Sequence, residues 1–250
     1  MSISLSSRDT EERGGRHVTQ QQRKAQRIAD VLEAAWGVPR MTRRRPSPMD
    51  ALVATILSQH TSDRNSSRAF GELKRRYPRW DMLARSTPRA VARAIRAGGL
   101  ARQKARRILS IVRKLDGRFD RRSIGRRPNA QLMTSLCALD GVGVKTASCV
   151  LLFSLGRDVF PVDVHVHRVL VRTGLAAGSR SPEETFSRMA SVVPPGKAYS
   201  LHLLLVRLGR TLCRPRIPRC GACPLRSLCD SSAAMLREHS AFHAAQESVR

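Results

Sequence analysis

The tightest constraint on this chain is a run of thiols near its end. Cys213, Cys220, Cys223 and Cys229 fall within 17 residues, in the spacing C-x6-C-x2-C-x5-C. The opening residues hold no apolar leader, and Asp9, Glu11 and Glu12 argue against a transit peptide, so a cytoplasmic protein is expected. Thiols stay reduced there, and a disulfide framework is not expected. Four thiolates this close read instead as a metal site for zinc or a [4Fe–4S] cluster. A zinc ribbon normally shows two C-x2-C knuckles. Only Cys220 and Cys223 have that spacing here, which favours the cluster over zinc or unliganded thiols. The other two cysteines, Cys137 and Cys149, sit on apolar helix faces and are expected to be buried.

The charge balance points to a partner. The 250 residues carry 46 Lys+Arg against 19 Asp+Glu, a formal net charge of +27. A charge of that size asks for a polyanion, nucleic acid first and an anionic membrane surface second. Apolar residues make up 41%, too many for a disordered chain. The longest apolar stretch, Ala147–Leu155, is interrupted by two serines and a cysteine. A bilayer span needs roughly 20 apolar residues, so no integral membrane protein is expected. Only 6 of the 46 basic residues are Lys. A lysine kept in so Arg-rich a chain raises the question of whether an amine is needed. Arg214, Arg216 and Arg219 crowd the loop between the first two clustered cysteines, either presented to phosphates or simply solvated.

The rest of the chain reads as all-α, with helices of roughly 8–17 residues on short loops. Residues 1–18 read as a disordered tail. A helical stripe of Ile28, Val31, Leu32 and Ala35 follows Thr19, and Arg40–Pro48 is a basic connector. Ser47-Pro48 and Thr87-Pro88 open helices as cap and first residue. Gly98-Gly99 is expected to stop the second of these, with Val91, Ala92 and Ile95 buried. Further helices are expected over Ala105–Leu115 with Gly117 as the stop, Asn129–Cys137, Val144–Leu155, Val164–Arg172 and Ala198–Gly209. Trp36 and Trp80 are assigned to core packing. His165 and His167 read as exposed residues with hydrogen-bonded, structural roles.

Two features carry chemistry. Gly141-Val142-Gly143 makes a tight turn directly before a helix, so its backbone N–H groups and the positive helix end can receive a phosphate. Lys145 lies in the first turn of that helix. A positive helix end disfavours a protonated amine, and a neutral amine is a nucleophile, work that Arg cannot do. The plainer reading of Lys145 is one more phosphate-binding cation. Asp163 precedes the helix at Val164 and is a natural N-cap. It could also accept the amine's proton or stabilise a developing cation.

In these residues the chain resembles the endonuclease III family of DNA glycosylases, within the helix-hairpin-helix, Gly/Pro-Asp superfamily. The resemblance rests on Leu139-Asp-Gly-Val-Gly-Val-Lys145-Thr-Ala, on Val162-Asp163-Val-His-Val-His-Arg168, and on the four-cysteine spacing, which matches the family's [4Fe–4S] loop at every gap. It extends to Leu57-Ser-Gln-His-Thr-Ser-Asp63 and Gly99-Leu100-Ala-Arg-Gln-Lys-Ala105, covering residues 20 to 230. It implies two helical domains with a DNA groove between them. One is a six-helix barrel over 46–157 that carries the hairpin. The other is a discontinuous cluster domain over 19–45 and 158–230, followed by a tail at 231–250.

The resemblance also implies Lys145 as the nucleophile and Asp163 as the activating carboxylate. The [4Fe–4S] cluster would be a structural cofactor on Cys213, Cys220, Cys223 and Cys229. Gly141, Val142, Gly143, Arg214, Arg216 and Arg219 would hold DNA. Leu100 with Gln59 or His60 would fill the space left by a flipped base. The implied activity is that of a bifunctional DNA glycosylase/AP lyase acting on oxidised pyrimidines and abasic sites in double-stranded DNA, as a monomer at a bacterial-type nucleoid. The chain departs from the family pattern at Asp140, where Pro is usual, at His60, where Gln is usual, and at Ala101, where an aromatic is common. The competing readings are a monofunctional mismatch glycosylase, a non-catalytic iron–sulfur DNA-binding protein and a zinc-binding transcription factor.

Overall fold

The computed structural model describes residues 19–42, 44–115 and 119–236. The expected tail at 1–18, the helix stop at Gly117 and residues 237–250 of the C-terminal tail lie outside the described residues. Among those described, every regular element is helical. In chain order they are α1 (Gln20–Trp36), α2 (Pro48–Ser58), α3 (Asp63–Arg76), α4 (Trp80–Ala84), α5 (Pro88–Ala94), α6 (Ala101–Leu115), α7 (Arg121–Ile124), α8 (Asn129–Cys137), α9 (Val144–Cys149), α10 (Val164–Arg172), α11 (Pro182–Met189) and α12 (Ala198–Thr211).

The helix starts follow local chemistry. Thr19 and Gln22 form a reciprocal capping box at α1. The Ser47 hydroxyl accepts from the Asp50 amide at 3.1 Å, and Thr87 accepts from Ala90 at 3.3 Å. Ser62 and Ser181 cap α3 and α11 in the same way, although neither helix stands out in the sequence. In α3 the apolar stripe is thin: Ala69 and Leu73 are its buried hydrophobic residues. α5 ends at Ala94, ahead of the expected glycine stop, and a 3₁₀ turn over Arg96–Gly98 follows. The segment expected as one helix from Val144 changes to π-helix over Val150–Leu155. At that point the Ser148 hydroxyl donates to the Val144 carbonyl at 2.7 Å, a back-bond of the kind that bends helices.

Two hydrophobic cores result. One centres on Leu52, Val53 and Ile56 of α2, packed by α3 to α6, α8 and α9. The other gathers Ile28 and Leu32 of α1, Val166 and Leu170 of α10, and Leu205 of α12. They meet inside the π-helical segment, where Leu151 belongs to the first and Leu152 to the second. The basic connector is pinned at this seam. Arg121 donates to the Arg45 and Pro46 carbonyls at 2.6 and 2.7 Å, and Arg45 donates to the Leu155 carbonyl at 3.1 Å.

The structure revises some side-chain assignments and keeps others. Cys137 is exposed, because its face of α8 turns away from the core, whereas Cys149 is buried. Ala35 is exposed and Ala92 only half-buried. Trp36 and Trp80 pack against the two cores as assigned, half-buried and under cations, Arg207 at 4.6 Å and Lys74 at 4.4 Å. His165 and His167 are half-buried, yet hydrogen-bonded as expected, to Arg168 at 3.2 Å and Thr185 at 2.7 Å. Among the described residues, no helix is long and apolar enough to cross a membrane.

Candidate active site

A cleft of about 720 Å³ opens where the two cores face each other. The end of α2 contributes Gln59 and His60, the start of α9 contributes Gly143 and Lys145, the turn into α10 contributes Asp163, and α12 contributes His202 and Arg210. Residues distant in sequence therefore line one cleft. Arg210 forms an ion pair with Asp63 of α3 across the cleft mouth, joining the two halves.

Lys145 is half-buried in the first turn of α9. It lies against Cys149, one turn on. Burial pushes the Cys149 thiol up, and the Lys145 ammonium opposes that shift. Asp163 caps α10: its Oδ1 accepts from the His165 and Val166 amides, both at 2.9 Å. Neither of those bonds uses Oδ2. The N-cap reading and a reactive carboxylate are thus compatible in one side chain.

His202 went unnoticed in the sequence and is 5% exposed. Burial lowers its pKa to about 4, against the pull of the Asp163 carboxylate. The ring is neutral near pH 7. Its Nδ1 lies 2.9 Å from the Pro161 carbonyl, which can only accept, so Nδ1 carries the proton and Nε2 holds a lone pair. This bond fixes the chain two residues before Asp163. Phe153 and Phe160 meet the ring edge-on at 5.7 and 6.4 Å between centroids.

The hairpin before α9 is built around Gly141, at φ +70°, where an added Cβ would overlap the Arg107 side chain. Arg107 reaches Asp140 at 3.4 Å, so the acid standing where proline is usual has its own counter-charge. Val142 does not suit a phosphate contact. Its side chain is 4% exposed and its amide donates back to Leu139 at 3.1 Å. That amide closes the turn and is spent. Gly143 is exposed at the cleft.

Gln59 and His60 separate. Gln59 Nε2 donates to the Gly141 carbonyl at 3.2 Å and to Thr146 Oγ1 at 3.3 Å, tying it to the hairpin. His60 is exposed with φ 52°. Leu100 lies outside the cleft wall, 54% exposed with φ 47°.

The four clustered cysteines line one cavity, floored by Leu212, Pro218 and Met235. Burial pushes the Cys220, Cys223 and Cys229 thiols up, Cys223 to about 11. Among the described residues, no three His, Cys, Asp or Glu side chains are grouped to hold a single ion. The four thiols line a shared space with no carboxylate or imidazole among them, a donor set whose chemistry fits a sulfur-ligated group. Arg172 braces the loop through the Arg214 and Pro215 carbonyls, both at 2.7 Å, and Arg168 does so through Cys213 O at 2.9 Å. Neither arginine was singled out by the sequence. Arg214, Arg216 and Arg219 are exposed on that loop.

The profile of the HhH-GPD superfamily base excision DNA repair proteins matches residues 53–195. Endonuclease III of Thermotoga maritima is 34% identical over 187 residues, which are 75% of this chain and 84% of that protein. Endonuclease III of Escherichia coli is 33% identical over 192 residues, 74% of this chain and 84% of its own. A relative in Arabidopsis thaliana, named for DNA glycosylase activity, is 35% identical, and the match spans 57% of its length. A solved non-covalent endonuclease III–DNA complex superposes with a TM-score of 0.72 at 25% identity, covering 86% of this chain and 98% of the other.

Proposed function

Because this chain belongs to the HhH-GPD superfamily of base excision DNA repair proteins, as a DNA glycosylase/AP lyase of the endonuclease III type, we propose that its cleft removes oxidised pyrimidines from duplex DNA through a Lys145 Schiff base and then nicks the strand. The observation that carries this reading is that Lys145 and Asp163, from α9 and the α10 cap, line one cleft. A solved structure of a trapped endonuclease III–DNA covalent intermediate, similar to this chain, supports a covalent path.

The target base leaves the stack, at least cost where damage has weakened pairing or stacking. The Lys145 amine attacks the sugar C1′. The N–C1′ bond forms as the glycosidic bond breaks and the base departs with a proton. Asp163 stabilises the cationic sugar, takes the proton released by the amine and passes it to the departing base. The C1′–O4′ bond then opens as the remaining N–H proton passes to the ring oxygen, and the resulting imine at C1′ acidifies the 2′ hydrogens. Loss of one of them expels the 3′ phosphate and nicks the strand by β-elimination. His202, neutral and bonded to Pro161, keeps the Asp163 loop in register without adding charge.

Leu100 and His60 fill the vacated space, while Gln59, bonded to Gly141 and Thr146, buttresses the hairpin. Phosphates are held by Gly141 and Gly143 of the hairpin, whose middle residue Val142 packs inward, and by Arg214, Arg216 and Arg219. Cys213, Cys220, Cys223 and Cys229 would hold a [4Fe–4S] cluster, which supplies a structural brace for the arginine loop. Action as a monomer, in the cytoplasm at the nucleoid, belongs to the same proposal.

Borohydride reduction tests the proposal. The protein is mixed with duplexes holding thymine glycol or an abasic site, with Lys145→Gln in parallel. An adduct on thymine glycol that disappears in the variant is expected. An adduct on abasic DNA alone removes the base specificity. No adduct from folded, cluster-loaded protein sinks the Lys145 path and favours a monofunctional glycosylase.

A further inference from the structure

We propose that Lys104 is a positioning residue that locks the two gap-filling fingers, His60 and Leu100, into one rigid unit. Lys104 lies on α6 and is 2% exposed, a rare state for an ammonium group. Its Nζ donates to the Leu57 carbonyl and to the Gly98 carbonyl, both at 2.8 Å. Its backbone amide donates to the Leu100 carbonyl at 3.0 Å. Burial holds its pKa below the ordinary lysine value, with no carboxylate compensating it.

The two carbonyls share a position in the fold. Leu57 ends the α2 run that delivers Gln59 and His60, and Gly98 ends the 3₁₀ turn that delivers Gly99 and Leu100. Helix C-terminal carbonyls lack partners of their own and carry partial negative charge, so a cation is well placed there. A single ammonium thus ties together two chain ends that are 41 residues apart in sequence (98 against 57).

Just beyond each carbonyl stands a strained residue. Among the described residues, His60 at φ 52° and Leu100 at φ 47° are the non-glycine positions in the left-handed region. Such backbone persists where its surroundings over-determine it. Lys104 supplies that for both fingers. An apolar side chain of similar length would fill the same space without the desolvation cost, so packing alone does not explain an amine here. A wedge that unstacks a base step must resist the recoil of the duplex, and two fingers braced against each other resist it better than two that move separately.

This inference rests on the reading of His60 and Leu100 as gap fillers, and the fluorescence arm of its test is independent of the Lys145 chemistry. Binding to a duplex with 2-aminopurine opposite an abasic site reports unstacking by fluorescence. Lys104→Met is expected to bind this duplex but to lose most of the fluorescence rise. It is also expected to trap with borohydride on duplex abasic DNA about tenfold less well, and on a single-stranded abasic oligonucleotide as well as the native protein does. A purely structural role would lower trapping on both substrates equally, and that result overturns the proposal. So does a full fluorescence rise in the variant. Lys104→Gln, which keeps a donor for one carbonyl, is expected to fall between the two and serves if Lys104→Met does not fold. If His60→Ala and Leu100→Ala leave the native fluorescence rise intact, the finger reading itself fails. If the native protein unstacks the duplex but never traps, the Lys145 reading fails and the role of Lys104 is still decided.

Discussion

Asp163 holds two roles in one side chain, and substitution can part them. Its Oδ1 caps α10 through two amides at 2.9 Å, while the carboxylate faces the cleft with Lys145. Asparagine is as good a cap but carries no charge. Asp163→Asn is therefore expected to keep the melting temperature and to lose about 10²-fold or more in single-turnover base excision. Asp163→Ala loses the cap as well and is expected to cost about 1 kcal/mol in urea denaturation. Matching excision rates for Asp163→Asn and the native protein would reduce the residue to a cap. The same scale separates Gln59 from His60. Both are polar and adjacent, yet one spends its amide on the hairpin and the other is exposed with left-handed backbone.

At the scale of elements, the hairpin before α9 shows how a short motif is specified. Its two glycines are not equivalent. Gly141 sits at φ +70° with Arg107 where a Cβ would go, whereas Gly143 has nothing within 4 Å of that position. Gly141→Ala is expected to destabilise the protein by about 1–3 kcal/mol in urea denaturation and to weaken duplex binding, because Gln59 and Arg107 shift with the turn. Gly143→Ala is expected to leave stability unchanged. Equal stability of the two variants would show that backbone strain at Gly141 is unimportant. Two helix starts were legible from adjacent residues, Ser47-Pro48 and Thr87-Pro88, and both hydroxyls cap, through the Asp50 and Ala90 amides. α3 and α11 carry equally good serine caps but bury few apolar residues, Ala69 and Leu73 in one and Met189 in the other, which leaves little apolar pattern to read.

At the scale of the whole molecule, a net charge of +27 makes DNA affinity salt-dependent. Replacing Arg214, Arg216 and Arg219 with Ser is expected to flatten the plot of log affinity against log salt, by up to about 0.9 for each phosphate that is no longer neutralised. An unchanged slope would mean that the exposed arginines are simply solvated. What the sequence alone determined is local or compositional: the all-helical class, the caps, the cysteine spacing, and the candidacy of Lys145 and Asp163. Those signals act over a few residues, where chain connectivity already sets the geometry. The rest was decided by tertiary structure. It buried Lys104 and His202, exposed Cys137, set Arg172 against the cysteine loop, and paired Asp63 with Arg210 across the cleft. A side chain's burial and its distant partners depend on where the other elements dock, and no stretch of sequence around that residue encodes this.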